Sequence, residues 1–596
     1  MSKIKTAPKL VIGLALIVGG LLELKHLVYV GVIPRPSAMK TVIPIKAEEL
    51  SATVLSGGTV AAKPLPTATP MQVCMDGNTS NCVNSTPVEM ETWAWNGNIG
   101  LLYSIGGPQT TKGSITASHG LMVSTRRQDD TGQMNNDLLD TAQKLQSDPN
   151  APGVKLITIM GDGAAAELAA INPKLQKVCP DCGLKVVGVM GYSRGEDVFM
   201  GPADWKADPQ KSRGGLVIGV LRDGDWNIAL KWLGQNGIPN NPDDTSYDPS
   251  ALNWINSDSY TKAAGDFATG NACVDIPVKG KLGGAKVHKC ADAVVTWTPG
   301  DVTVAKKRGG VVPIASTAQY VFQMPCVILG IDRWMKSHRG EVQNLLASAF
   351  EGADQIRSNS AALQKAGEIS AKIYNEENAD YWVKYFKGVT EPDAQGIRVH
   401  LGGSAVANLA DNLQAFGLNG GPSLFAATYT TFGKIVVQQY PRLVPSFPTA
   451  EGIVDTSYLA ALKGTMTAPA EDIIKASTAP MKSIAGKRNY SIQFAVGSAQ
   501  PLSSSYADLE QLAADISLTN YIVALHSHTD NTGSAEANMD LSQRRGDSVA
   551  AYLKQKGVRN TIRSYAHGSE EPLPGNDPNS VAGRAKNRRV QVVLGE

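Results

Sequence analysis

The sequence has no P-loop and no His-Glu-x-x-His, so the phosphate-cradling and zinc-protease chemistries those spacings serve are not expected. It also lacks an excess of either charge. Lys and Arg number 56 against 54 Asp and Glu, a net +2, and no long basic run occurs, which argues against nucleic acid as a partner. Aromatic residues are few, at 6%, while 59 glycines suit a loop-rich α/β or α+β chain. Asp223 and Asp225 are two carboxylates only two residues apart in a Gly turn, a common loop arrangement rather than a glycosidase pair. The expectation is a binding protein, with no enzymatic activity and no cofactor.

What is present is length enough for two or three domains: 596 residues, 42% of them hydrophobic. Six of the seven cysteines fall as near neighbours, Cys74 with Cys82, Cys179 with Cys182 and Cys273 with Cys290. Three local pairs fit disulfides in an oxidising compartment. Cys179-Pro180-Asp181-Cys182 reads as a structural staple, because it follows a helix and precedes a strand instead of opening a helix. Cys326, within Met-Pro-Cys-Val-Ile-Leu, reads as a buried apolar residue.

Near the N-terminus, Lys3, Lys5 and Lys9 precede an apolar run at 10–22, and Glu23, Lys25 and His26 interrupt before a second run at 27–33. Thirteen residues of helix span only about 20 Å, whereas continuing to residue 33 reaches the roughly 30 Å of a hydrocarbon core. Residues 1–33 are therefore expected to be an uncleaved transmembrane anchor with its lysines inside, and a cleaved signal peptide is the competing reading. Glu23 either lies at the interface beside Lys25 or serves a function within the membrane. Residues 34–87, rich in Thr, Ala and Pro, read as an extended stalk. At roughly 3.1 Å per residue such a stalk reaches well over 100 Å.

From residue 88 to 459, strands alternate with helices, the mark of an α/β domain. Strands are expected at 92–95 (its end), 121–123, 154–159, 184–189 and 293–295. Helices are expected from 164 to 170 and at 342–353, 361–374, 404–416 and 425–440. Strand, glycine turn, helix N-terminus is where free N–H groups gather and an anion can be held. The candidates are Trp95 and Asn96, Asp162 and Gly163, Ser193 and Arg194, the 223–227 turn, and Trp297. An arginine together with helix N-termini favours an anion.

These features in this order, with Asp292-Ala293-Val294-Val295-Thr296-Trp297 as a late strand and Ala315-Ser316-Thr317 before the return, resemble type 2 periplasmic solute-binding proteins of the nitrate, taurine and phosphate kind. The resemblance implies two lobes closing on a small solute, here an oxyanion such as phosphate, through Trp95, Asn96, Asp162, Gly163, Ser193, Arg194 and Trp297. Residues 460–487, with two Ala-Pro breaks, read as a linker.

The last segment, 488–596, carries the most specific signal. His528-Thr529-Asp530 ends an apolar strand, and the following helix puts Leu541, Arg545, Val549 and Tyr552 on one side. An arginine inside an apolar stripe needs an anionic partner, and Asp530 is the near candidate. The couple is either a plain salt bridge or a clasp for a zwitterion, the Asp taking an ammonium and the Arg forking a carboxylate. His526, His528 and His567 read as ordinary hydrogen-bonded histidines, not a zinc site.

Thr-Asp, ten residues, Leu-Ser, two residues, Arg, with Ile492-Gln493-Phe494 and Gly497-Ser498-Ala499 before it and Gly583-Arg584-Ala585-Lys586-Asn587-Arg588-Arg589-Val590 after it, resembles the OmpA-like peptidoglycan-binding domain shared with Pal and MotB proteins. The resemblance implies an α+β domain of order βαβαββ that grips the diaminopimelate of the wall peptide with Asp530 and Arg545. Thr529 and Asn538, and Arg589, match pocket-lining positions. Two departures occur: the family has Gly before His-Thr-Asp where this chain has Ser527, and Ala after the Arg where it has Gly546.

The whole reads as an inner-membrane-anchored periplasmic protein with peptidoglycan as a partner and a small anionic solute as ligand. Two alternatives remain: a MotB-like stator in which Glu23 carries protons for a membrane partner protein, and a transporter-associated binding protein placed by its wall domain.

Overall fold

The computed structural model describes residues 73–74, 79–83, 87–221, 224–280, 284–474, 477–481, 484–490 and 492–595. The expected anchor with Glu23, most of the stalk, and Asp223 lie outside them. Among the described residues no helix is long and apolar enough to cross a membrane.

The chain builds one α/β lobe, crosses to a second, and returns. The first lobe begins with β1 (Val88–Thr92), β2 (Val123–Arg127), β3 (Val154–Met160) and β4 (Leu184–Ser193). The second holds β5 (Val198–Gly201), β6 (Leu216–Gly219), β7 (Asn253–Asn256), β8 (Cys273–Pro277), β9 (Lys286–Cys290), β10 (Ala293–Thr296) and β11 (Val312–Ser316). The return supplies β12 (Pro325–Ile331), β13 (Val389–Pro392), β14 (Arg398–Leu401) and β15 (Ser404–Val406). The first sheet has the order β15-β4-β12-β3-β1-β2 and the second β11-β5-β10-β6-β7. β12 runs antiparallel between β3 and β4, so the returning strand is locked into the middle of the first lobe. Both β3 and β12 are buried along their whole length, which is why they read as unbroken apolar runs instead of alternating ones.

Two segments cross between the lobes, 194–197 and 317–324. They are pinned together where Ser193 Oγ and Thr317 Oγ1 lie 2.5 Å apart and Gly195 N–H donates to Thr317 Oγ1. The β13–β14 hairpin reaches across as well, with Ala394 N–H donating to Ala305 O and Gly310 N–H to Asp393 Oδ2.

The third sheet, β16 (Ile484–Tyr490), β17 (Ile522–Ser527), β18 (Ile562–Ala566) and β19 (Val590–Gly595), has the order β16-β19-β17-β18. It docks on the second crossover: Phe322 N–H donates to Leu518 O, Asn520 N–H to Gln319 O, and Tyr320 meets Tyr521 edge-on at 6.1 Å. The three expected disulfides are formed and Cys326 is a buried free thiol. Cys74 and Cys82 pack against the first lobe, where Cys74 N–H donates to Thr111 Oγ1 and Lys112 N–H to Asn81 O.

Several local expectations are corrected. The 223–227 turn is instead the start of helix Gly224–Gln235, buried on every side, as befits a helix apolar all round. The helix expected at 404–416 is the edge strand β15 followed by helix Leu409–Ala415. Asn408 and Asp411 form a reciprocal capping box that fixes where the helix begins. The helix expected to end at 170 runs from Ala164 to Val178 through Pro173, held by a buried face of Leu168, Ile171 and Leu175. The second strand starts at Val123 rather than 121. In the C-terminal domain, helix Val581–Asn587, capped by Ser580, separates the last two strands, so the order is βαβαβαβ and not βαβαββ.

Candidate functional site

β17 delivers His528, Thr529 and Asp530 to its end, and Ser534, which accepts from Ala537 N–H, caps helix Ala535–Gln555. The buried stripe of that helix is Asn538, Ser542, Arg545, Gly546, Val549 and Leu553, so Arg545 does point inward, at 1% exposure. Its partners are not the expected ones. Arg545 Nε donates to Ser498 O (3.0 Å), Nη2 to Ala495 O (3.2 Å) and Nη1 to His528 O (3.4 Å), and the guanidinium lies 4.9 Å from the centre of the Phe494 ring. Three of its five N–H groups are thus met by carbonyl dipoles. Burial, with Arg588 nearby, lowers its pKa to about 10, so it stays charged at neutral pH.

Asp530 pairs with Arg588 Nη1 at 2.7 Å, and Thr532 donates to it from N–H and Oγ1. Burial pushes the Asp530 carboxyl up, but the Thr532 and Arg588 hydrogen bonds outweigh it and hold it below the usual carboxylate range. Thr529 is buried, its N–H donating to Gly568 O and its hydroxyl to Asp530 O. Asn538 is buried on the same helix face as Arg545. Arg589 Nη2 donates to Glu571 O, and its own carbonyl accepts from His528 N–H. Thus Asp530, Thr529, Arg545 and Asn538 gather at one end of β17, with Arg588 and not Arg545 as the ion-pair partner of Asp530.

Ser527 and Gly546 face one another. A Cβ on Gly546 would lie 2.0 Å from Ser564 Oγ and 2.8 Å from Ser527 Oγ, so the helix position has no room for Ala beside these two serines.

The histidines form a stack. His526 Nδ1 and His567 Nε2 are 2.8 Å apart, and His528 stacks on His567 at 4.8 Å. Among the described residues, the two groups with ligating atoms close enough for a metal are built on disulfide-bonded sulfurs.

The second candidate site lies between the lobes, at the facing strand ends. Trp93 from the first lobe and Trp297 from the second lie nearly parallel, centroids 6.1 Å apart, and Tyr260 stacks on Trp297 at 3.7 Å. Asn96 Nδ2 donates to Glu196 Oε2 across 3.3 Å. Asp162 accepts from Asn227 of the second lobe and Gln323 of the crossover, and Gly163 is the N-cap of helix Ala164–Val178. Trp95 is buried, its carbonyl held by Tyr374 OH. Ser193 is the pin between the crossovers, and its hydroxyl also accepts from Asp197 N–H. Arg194 stacks on Tyr192 at 4.3 Å, donates to Val321 O and to Ser193 O (3.1 Å), and pairs with Glu471 at 3.9 Å.

Sequence reasoning missed the acids here. Glu196 and Asp197 are fully buried on the first crossover. Asp301, at the start of helix Gly300–Lys307, accepts from Gly402 N–H at 3.0 Å. Burial, reinforced by Asp197 and Asp301, pushes the Glu196 carboxyl well up; burial raises Asp301 to about 6. The available signal was two acids directly before the wholly apolar 198–200.

Two lobes joined by two crossovers, with a cleft at the facing strand ends, define a two-lobed α/β architecture, here joined to a small α+β domain. Residues 493–588 match the OmpA family. The peptidoglycan-associated lipoprotein of Buchnera aphidicola subsp. Baizongia pistaciae is 37% identical over 113 residues, 18% of this chain and 62% of that protein. The peptidoglycan-binding protein ArfA of Mycobacterium tuberculosis (strain ATCC 25618 / H37Rv) is 42% identical over 73 residues, 12% of this chain and 22% of that protein. The chain therefore spans less than two thirds of either relative. Among solved structures, the periplasmic aliphatic sulphonate binding protein SsuA from Escherichia coli aligns over 67% of this chain and 98% of its own, at 14% identity and a TM-score of 0.40. The two-lobed description rests on the strand order and crossovers given above.

Proposed function

We propose that the protein is an envelope component that holds peptidoglycan non-covalently through its C-terminal domain and captures a small solute between its two lobes, with residues 1–33 as its inner-membrane anchor. The observation that carries the wall half is the gathering of Asp530, Thr529, Arg545 and Asn538 at one end of β17. A diaminopimelate headgroup is a zwitterion. Its ammonium would take the place of Arg588 at Asp530, and its carboxylate would accept from Arg545 N–H groups beyond those bound to carbonyls. Three disulfides support an oxidising compartment such as the periplasm.

The test is co-sedimentation with purified sacculi. Asp530→Ala and Arg545→Ala, each checked for folding by circular dichroism, should retain at most a tenth of the parent's affinity, and free diaminopimelate should compete with the parent. Undiminished sedimentation of both folded variants would overturn the wall reading. The solute half rests on the cleft between the facing strand ends of the two lobes.

A further inference from the structure

Resting on the reading of the lobes as a solute-binding module, we propose that the cleft between them takes an uncharged, largely apolar small molecule carrying a hydroxyl, and not an oxyanion.

The cleft holds a cavity of about 390 Å³ to which every pass of the chain contributes: Trp93 and Met160 from the first lobe, Val220 and Leu221 from the second, and Val436 and Val444 from the return. Met160 ends β3, which is buried along its whole length, and Val220 and Leu221 follow the equally buried β6, so the apolar ends of core strands become the walls. Trp93 turns its polar edge away: its indole N–H donates to Met134 Sδ at 3.3 Å, and one ring face lies against Trp297. What the ring offers the cavity is carbon. Along helix Ala164–Val178, the small side chains of Ala166 and Ala170 leave the room that the cavity occupies.

Among the described residues that line the cavity none is Lys, Arg or His, Glu167 is the one acid, and Thr131 is the other polar side chain. An anion there would find no cation and one carboxylate, in surroundings too apolar to solvate it. An ammonium group would bring three N–H donors to a single carboxylate. A hydroxyl brings one donor and no charge, a demand that Glu167 and Thr131 can meet. Water is a poor occupant, because it needs about two to four polar partners and aliphatic walls supply few. A sphere of 390 Å³ is about 9 Å across, below the roughly 10–12 Å of a helix with its side chains, so the occupant is a small molecule and not a helix of a partner protein. Leu443, which is 63% exposed, carries the apolar wall out to the surface and marks the entrance. Because both lobes line the cavity, an occupant touches both, and its contacts favour the closed arrangement.

The experiment titrates the full chain with octanol and benzyl alcohol, against octanesulfonate, octylammonium, phosphate and nitrate, followed by calorimetry and by tryptophan fluorescence, since Trp93 lines the cavity. Octanol should bind the parent at least tenfold more tightly than octanesulfonate or octylammonium, which share its tail and differ only in the head. Ala166→Phe fills the cavity from a half-buried position, and Leu443→Asp sets a charge at the exposed entrance. Each should weaken alcohol binding at least tenfold, with the fold checked by circular dichroism. Binding of octanesulfonate, octylammonium, phosphate or nitrate as tight as that of the alcohols, or tighter, overturns the inference while leaving a solute-binding module in place. Alcohol binding undiminished in both folded variants overturns this cavity as its site. No binding by any probe overturns the inference together with the solute reading.

Discussion

Asp301 offers the sharpest test of the energetics of the cleft. It is 1% exposed, and burial raises its carboxyl from 3.8 to about 6. A carboxyl whose folded pKa lies above its unfolded value keeps a proton in the folded chain that the unfolded chain has released. Its contribution therefore favours folding at low pH and is lost as pH rises from about 4 to about 6. The shift of about 2 units corresponds to about 3 kcal/mol of destabilisation once Asp301 is ionised. Asp301→Asn removes that cost. It also replaces one accepting oxygen by a donor facing Gly402 N–H or Val302 N–H, a loss of about 1 kcal/mol. The variant should thus be about 1 kcal/mol less stable than the parent at pH 4 and about 2 kcal/mol more stable at pH 8. The other acids facing Asp301 act in the same direction, because removing its charge makes Glu196 easier to ionise. Tyr381 and Tyr385, which also face it, are pushed above their usual range by burial and do not titrate in this window. Urea unfolding followed by tryptophan fluorescence, with Trp297 close by, would measure the difference at each pH. A difference between variant and parent that stays constant from pH 4 to 8 would refute the reasoning, because it would mean that Asp301 ionises at no cost.

Three further outcomes follow from packing. Gly546→Ala should cost about 1–3 kcal/mol by overpacking against Ser527 and Ser564. Adding Ser527→Gly should recover about 1 kcal/mol of it, and denaturation of the four proteins in the cycle measures the coupling. Asp515→Ala removes the carboxylate 3.9 Å from buried Lys231 and should cost about 3 kcal/mol, whereas Lys231→Met with Asp515→Leu should stay near the parent in the same melts. Gly191→Ala has no room, since its Cβ would lie 2.5 Å from both Ala405 O and Gly97 O. Both obstacles are backbone, so the variant should lose several kcal/mol or fail to accumulate as soluble protein.

The gathering of Asp530 and Arg545 was legible because its signature is local: a strand end, a capped helix and a fixed spacing bring them to one place without knowledge of the rest. The pairing was not. The helical stripe shows that Arg545 points inward, but a carbonyl leaves no mark in a sequence, and Arg588 reaches Asp530 from 58 residues away. In the cleft, strand-glycine-helix junctions located Trp95, Asn96, Asp162, Gly163 and Trp297 at the facing strand ends, since such junctions are where α/β loops gather. The buried acids Glu196 and Asp301 were not legible, because a carboxylate in a glycine-rich segment looks like a solvated turn, and the groups that bond them, Asn96 and Gly402 N–H, come from far away in the chain. The contacts of Ser193 and Arg194 were not legible either, because polar residues at a strand end serve equally well to pin a crossover or to stack on neighbouring rings.

The docking face of the C-terminal domain and the cluster around Asp530 lie at opposite ends of one strand. The domain meets the second crossover through Leu518, Asn520 and Tyr521, at the entry to β17, while His528, Thr529 and Asp530 follow its exit at Ser527. Six residues of strand separate the two ends by about 20 Å, so the docking contacts leave Asp530 clear. The same domain touches the second lobe through Asp515 and Lys231 and approaches Pro422, beyond the return, through Gly557. The C-terminal domain is thus held on both sides of the second crossover, by the second lobe at Lys231 and by the return at Pro422.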